Sequence, residues 1–105
     1  MQITNYFTDK EKEGIELIQN TFLDKIDKIY VVSKKRNVGG GFDSYTSIRY
    51  HIAFKNDVAL TREDYHKIDS LFPVNENNGF LISAYEYNPY DISSKEEVKV
   101  YQLLL

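Results

Sequence analysis

The chain has no cysteine and no tryptophan, and only two prolines and one methionine among 105 residues. Without cysteine there are no disulfides, no thiolate metal sites and no cysteine nucleophile. The same absence suits a reducing cytoplasm, the compartment expected here. No Pro- or Ser-rich linker, internal repeat or low-complexity tract interrupts the sequence, so one domain over residues 1–105 is expected. No apolar run approaches the roughly 18 residues of a membrane span. Residues 1–14 are polar, with Asp9, Lys10, Glu11, Lys12 and Glu13 where a signal peptide would be apolar. Histidine is scarce as well. His51 and His66 are the two present, fewer than the three protein ligands a catalytic zinc site takes. His66 has Glu63 and Asp69 at helical spacing, which suits a solvated charged face, and His51 is expected on the exposed side of a strand. No HExxH, EF-hand loop, G-x-S-x-G elbow or P-loop occurs. The acid pairs Glu63-Asp64 and Glu96-Glu97 fall at element starts, where capping accounts for them. Neither an enzyme nor a bound cofactor or metal is expected.

What the chain has in quantity is aromatic and charged. Nine tyrosines and six phenylalanines suit half-exposed sheet faces and interfaces. The net charge of −3 is unevenly spread. Residues 1–27 and 56–105 are acidic. Between them Lys28, Lys34, Lys35, Arg36, Arg49 and Lys55 face one acid, Asp43. At the centre lies Ser33-Lys34-Lys35-Arg36-Asn37-Val38-Gly39-Gly40-Gly41, which joins like charge to backbone freedom. Such segregation speaks about partners rather than fold.

Thr8-Asp9-Lys10-Glu11 has the form of a capping box, and Ile15, Ile18, Phe22 and Ile26, with Leu23 beside them, predict an amphipathic helix of four to five turns. Ile29-Tyr30-Val31-Val32 predicts a central strand. Residues 46–55 alternate: Ile48, Tyr50, Ile52 and Phe54 face one way, Ser47, Arg49, His51, Ala53 and Lys55 the other. Thr61-Arg62-Glu63-Asp64 opens a second helix with Tyr65, Ile68, Leu71 and Phe72 as its stripe and Pro73 as its stop. Asn75–Gly79 is a turn, Phe80–Tyr87 a strand, and Asn88-Pro89 breaks it. Residues 94–101 read two ways, a cap at Ser94 or a β-branched alternation through Val98 and Val100, and strand is favoured. A short strand over residues 2–7 is weakly indicated. The fold expected is α+β: two helices on one face of a four- to five-stranded, mainly antiparallel sheet in (β)αββαββ order. If residues 2–7 pair, a ferredoxin-like layout with an extra strand results, and the face bearing Arg49 and His51 lies open to solvent.

Three functions fit. The first is a small acidic, non-catalytic binder that blocks another macromolecule, a nucleic-acid-handling enzyme or a toxin. In size, acidity, lack of motifs and lack of cysteine the chain resembles bacterial immunity proteins and phage anti-defence inhibitors such as anti-CRISPR proteins. Lys34, Lys35 and Arg36 would contribute charge, with Arg49 beside them. Phe42, Tyr85, Tyr87 and Tyr90 would be aromatic anchors. The second is a small-ligand or nucleotide domain using Gly39–Gly41. The third is a structural or oligomeric subunit, monomer or homodimer, pairing through an edge strand. Direct nucleic-acid binding is not expected of a chain with a pI near 5.3.

Overall fold

Thr8 fixes where the chain first becomes helical. In the computed structural model, which describes residues 6–38, 43–72 and 80–102, its hydroxyl accepts from the Glu11 amide at 3.2 Å. The Glu11 carboxylate accepts from the Thr8 amide at 2.8 Å. This capping box satisfies two N–H groups that a helix start leaves unpaired. Helix α1 runs Asp9–Phe22, with Ile15, Ile18 and Phe22 buried. The stripe stops short of the expected Leu23 and Ile26. Leu23 has φ 45°, a strained value for a side chain with a Cβ, and opens a 3-10 turn, Leu23–Lys25. It is 66% exposed, and Ile26 instead begins strand β1.

The remaining elements are β1 (Ile26–Val38), β2 (Asp43–Phe54), α2 (Arg62–Ser70), β3 (Phe80–Glu86) and β4 (Glu97–Gln102). They form one sheet in the order β3-β2-β1-β4. β1 is antiparallel to both neighbours, and β2 and β3 are parallel. Two helices against a four-stranded mixed sheet match the α+β class expected. The ferredoxin-like variant is not adopted. It needs a strand between β2 and β3, and these two are hydrogen-bonded neighbours. The strand proposed over residues 2–7 falls mainly outside the described residues; Tyr6 and Phe7 lie in a turn, and Phe7 packs edge-on against Tyr101. Residues 97–102 are a strand, and the supposed cap at Ser94 is a turn in which the Ser93 hydroxyl accepts from the Lys95 amide.

The alternating residues of the strands build the core. Ile29 and Val31 stand opposite Ile52 and Tyr50, and Tyr101 and Ala84 extend the same layer at the two edges. Gly14 is what lets α1 lie on this layer. A Cβ there would stand 2.2 Å from the Tyr50 ring, while the Tyr50 hydroxyl lies 3.2 Å from the carbonyls of Lys10 and Glu11. Burial, with the nearby Glu11 and Glu13 charges, pushes the Tyr50 phenol well above its ordinary pKa. On α2, Ile68 is buried, and just past its end Leu71 and Phe72 are half-buried, but Tyr65 stands off the expected stripe, 46% exposed. The helix ends at Ser70; Pro73 and the turn at residues 75–79 lie outside the described residues.

The second face of the sheet differs most from expectation. β2 passes to the parallel β3 through α2 on the helical face. β3 then passes to β4, also parallel to it, across β2 and β1, about 14 Å of sheet at ordinary strand spacing. This second crossover, residues 87–96, moves the opposite way on the opposite face, so both connections have the same hand, as the handedness preference of parallel crossovers demands. The face carrying Arg49 and His51 is therefore roofed. His51 is 1% and Val32 2% exposed, which corrects the expectation of an open polar face and of an exposed His51.

Candidate functional site

Two features stand out: an arm and a strap. The arm is the far end of the β1–β2 hairpin. β4 pairs with β1 only over Lys28–Ser33, and β3 with β2 only over Thr46–Ile52. Beyond those limits Arg36–Val38 and Asp43–Tyr45 pair only with each other, from Arg36↔Tyr45 to Val38↔Asp43, while Lys34 and Lys35 face Ser47 and Thr46, which pair on their other side with β3. A two-stranded ribbon thus projects past the sheet, with the Lys34 and Lys35 backbone at its root and Arg36 opening it. Lys34 is exposed and has no carboxylate partner among the described residues. The side chains of Lys35 and Arg36, and all of Phe42 and Gly39–Gly41, lie outside the described residues.

The strap is the 87–96 crossover. Tyr87 stacks flat on Tyr30, with ring centroids 4.2 Å apart and planes at 11°. Its amide donates to the Ile52 carbonyl at 2.9 Å. Burial and the neighbouring Tyr30 raise the Tyr87 phenol. Asn88 caps a 3-10 turn, Pro89–Asp91, whose tip presents Tyr90 at 94% exposure. At the far end Glu96 holds Arg49 in an ion pair. Beneath lies His51, its ring stacked 5.6 Å from Tyr85, with neither ring nitrogen hydrogen-bonded in the structure. Desolvation, then the Arg49 charge, pulls the imidazole below its ordinary pKa, against the opposing pull of Asp91 and Glu96.

Of the residues singled out in the sequence, the structure brings Arg49, Tyr85, Tyr87 and Tyr90 to this one face, and Lys34 joins its upper margin through Ser47. They are not equivalent. Tyr90 and Tyr85 are exposed, the latter 47%. Tyr87 is half-buried on Tyr30, and Arg49 is engaged by Glu96. Leu81, 52% exposed on the same side of β3, was missed; its place two residues before Ser83 and four before Tyr85 in an alternating strand was the available signal.

The helical face spends its charges internally. Lys99 bonds Glu11 at 3.0 Å beneath Tyr6 and Phe7, and Lys25 bonds both Asp64 oxygens at 3.0 Å. The Thr61 amide, with Lys25, holds the Asp64 carboxyl down to about 2. Among the described residues no group of three or more His, Asp or Glu side chains is placed to hold a metal ion. An open cleft of about 480 Å³ at the end of the sheet remote from the arm is walled by Tyr30, Tyr65, Tyr87, Lys28 and Glu86. Its Tyr65 phenol is raised by the Glu86 charge. No helix among the described residues is long and apolar enough to cross a membrane. No protein-family model, curated protein or solved structure matches the chain.

Proposed function

We propose that this chain is a small non-catalytic binding protein that blocks another macromolecule, and that it does so with the hairpin arm. The observation that carries this reading is the contrast in how cations are used. Lys25, Lys99 and Arg49 each serve a carboxylate of the fold, whereas Lys34 opens a run of three cations that leads from the margin of the sheet onto the projecting ribbon. The outer edges of that ribbon have no strand neighbour among the described residues, so backbone groups are available to a partner as well as charge. The partner favoured is a protein with an acidic surface at or beside its working site, such as a nucleic-acid-handling enzyme or a toxin. Tyr85, Leu81 and Tyr90 supply apolar contact area to the same partner. A cytoplasmic setting belongs to the same proposal. The bacterial immunity and phage anti-defence classes, anti-CRISPR proteins included, are the functional types it fits.

The test is capture of partners by the wild-type chain and by Lys34→Ala/Lys35→Ala/Arg36→Ala, with the activity of any captured enzyme assayed with and without added protein. The expected result is a partner inhibited by the wild type and bound at least about tenfold more weakly by the variant, the loss of three favourable charges each worth several tenths of a kcal/mol or more. An identical partner list for both proteins would remove the arm from the function. A thermal shift of several degrees with nucleotides would favour the Gly39–Gly41 ligand reading instead.

A further inference from the structure

His51 sits where the sheet offers water no route. Its backbone is paired on both sides, with Tyr30 of β1 and with Tyr85 of β3, and its ring lies under the strap. The groups facing that ring are Arg49 from its own strand, Tyr30 from β1, Tyr85 from β3, and Tyr87, Asp91 and Glu96 from the strap. None of them hydrogen-bonds a ring nitrogen. Glu96 is already committed to Arg49, and the rings of Tyr30, Tyr85 and Tyr87 are engaged in stacking.

A neutral imidazole carries one donor and one acceptor, and a protonated one carries two donors and a charge. The neutral ring tolerates this stacked, dry position better than the cation does, because a buried charge without a partner is far costlier than a buried dipole. The strap, in turn, is built to move as a unit. Its turns are internally bonded: Tyr90 N–H to the Asn88 side chain, Asp91 N–H to the Asn88 carbonyl, Lys95 N–H to the Ser93 hydroxyl and Glu96 N–H to the Ser93 carbonyl. Both ends are anchored separately, by the Tyr87 N–H on Ile52 and by the pairing of β4 with β1. Between these anchors, the Arg49–Glu96 pair is the ion pair that ties strap to sheet among the described residues. Lifting the strap therefore costs that pair and the cover over Val32 and His51, and leaves both the turns and the sheet intact.

We propose that residues 88–96 form an acid-released strap: a neutral His51 keeps it closed, and protonation of the His51 ring opens it and uncovers Val32. The depressed imidazole pKa fixes the direction. A histidine that is harder to protonate when closed than when open leaves closure fully stable above the open-state value, near 6.5. As pH falls below that value the open form gains, by up to about tenfold per pH unit, until the closed-state pKa is reached. This inference stands apart from the binding role of the arm and holds whatever the partner is.

The test is nuclear magnetic resonance on the whole chain between pH 8 and pH 4.5. It follows the two histidine rings and the methyl signals of Val32, the side chain that opening would uncover. His51 is expected to titrate below the ordinary imidazole value near 6.5, and the Val32 methyl signals are expected to move with the same midpoint, from buried toward exposed positions. His51→Phe should make the Val32 methyl signals independent of pH over that range, whereas His66→Ala should leave the wild-type pH slope. The proposal is overturned if the His51 ring titrates while the Val32 methyls do not respond, or if it fails to titrate before the sheet unfolds. An unaltered pH slope in His51→Phe overturns it too. If that variant does not fold, the wild-type titration alone decides.

Discussion

On the helical face of the sheet Glu11, Asp64 and Tyr50 are all nearly sealed from water and all hydrogen-bonded; on the strap face His51 is equally sealed and its ring is not. The difference lies in what covers each face. A helix start brings unpaired N–H groups and a fixed first turn, so α1 and α2 each seat a carboxylate by a capping box and add a lysine to it. The strap closes its turns on themselves and sends Glu96 to Arg49, leaving the imidazole below without a partner. A roof made of helix satisfies what it buries. A roof made of turns can bury a group without satisfying it, and that makes the covered group a lever on the cover.

Val31 and Val32 test this contrast best, being adjacent, of one residue type, 0% and 2% exposed, and on opposite faces. Val31→Ala is expected to cost about 2–3 kcal/mol and Val32→Ala about 1 kcal/mol, because the strap can settle into the space and the helices cannot. Equal losses in urea unfolding would erase the difference between the faces. Next in size is Gly14→Ala. It gains up to about 1 kcal/mol of helix propensity but drives a methyl group into Tyr50, for a net loss of about 1–2 kcal/mol after overpacking. In a Tyr50→Leu background the same change should lose its penalty; a persisting penalty would show that the close approach is not the reason for glycine.

Thr61→Ala removes a cap worth about 1 kcal/mol, readable as a lower melting temperature. The Asp64 that it seats adds a pH signature. Its folded pKa, about 2, lies under the ordinary 3.8, so its contribution is complete above 3.8 and is lost as pH falls toward 2. The stability gap between wild type and Asp64→Asn should therefore be widest at pH 5 and close by pH 2. A gap that stays constant would mean the charge is not what the site holds. The smallest expected effect is at the strap. A double-mutant cycle on Arg49 and Glu96 should give a coupling under about 1 kcal/mol that shrinks with salt; a larger, salt-resistant coupling would make the strap as firmly seated as the helices.

Much of the helical face is legible in the sequence because its determinants are local. Thr8 and Glu11, Thr61 and Asp64, and the alternation from Ile48 to Phe54 each declare themselves within a few residues. The strap face is not legible in that way. Alternation puts Arg49 and His51 opposite the core, but it cannot state what lies above them, which depends on β3 and β4 taking opposite edges. Those positions are set by pairings between distant segments, β4 with β1 above all. Leu23 was misread for a related reason. Its spacing continues the stripe of α1, yet the chain must leave the helix there to place Ile26 in β1 opposite Phe54, against which Phe22 packs. The exposed tyrosines were found by composition and turn position, and their common face emerged only with the register.

The order in which the sheet is completed has a consequence during synthesis. At about 5–20 residues per second, α1, β1 and β2 become available seconds before Glu97–Gln102, the strand that covers the other side of β1. For that interval β1, which carries the buried Ile29, Val31 and Val32, has one flank bare, and bare strand flanks recruit other chains. A ribosome that stalls after Glu86 would hold out an adhesive half-sheet, so the arrival of β4 is the moment at which the nascent protein ceases to be a hazard to its neighbours.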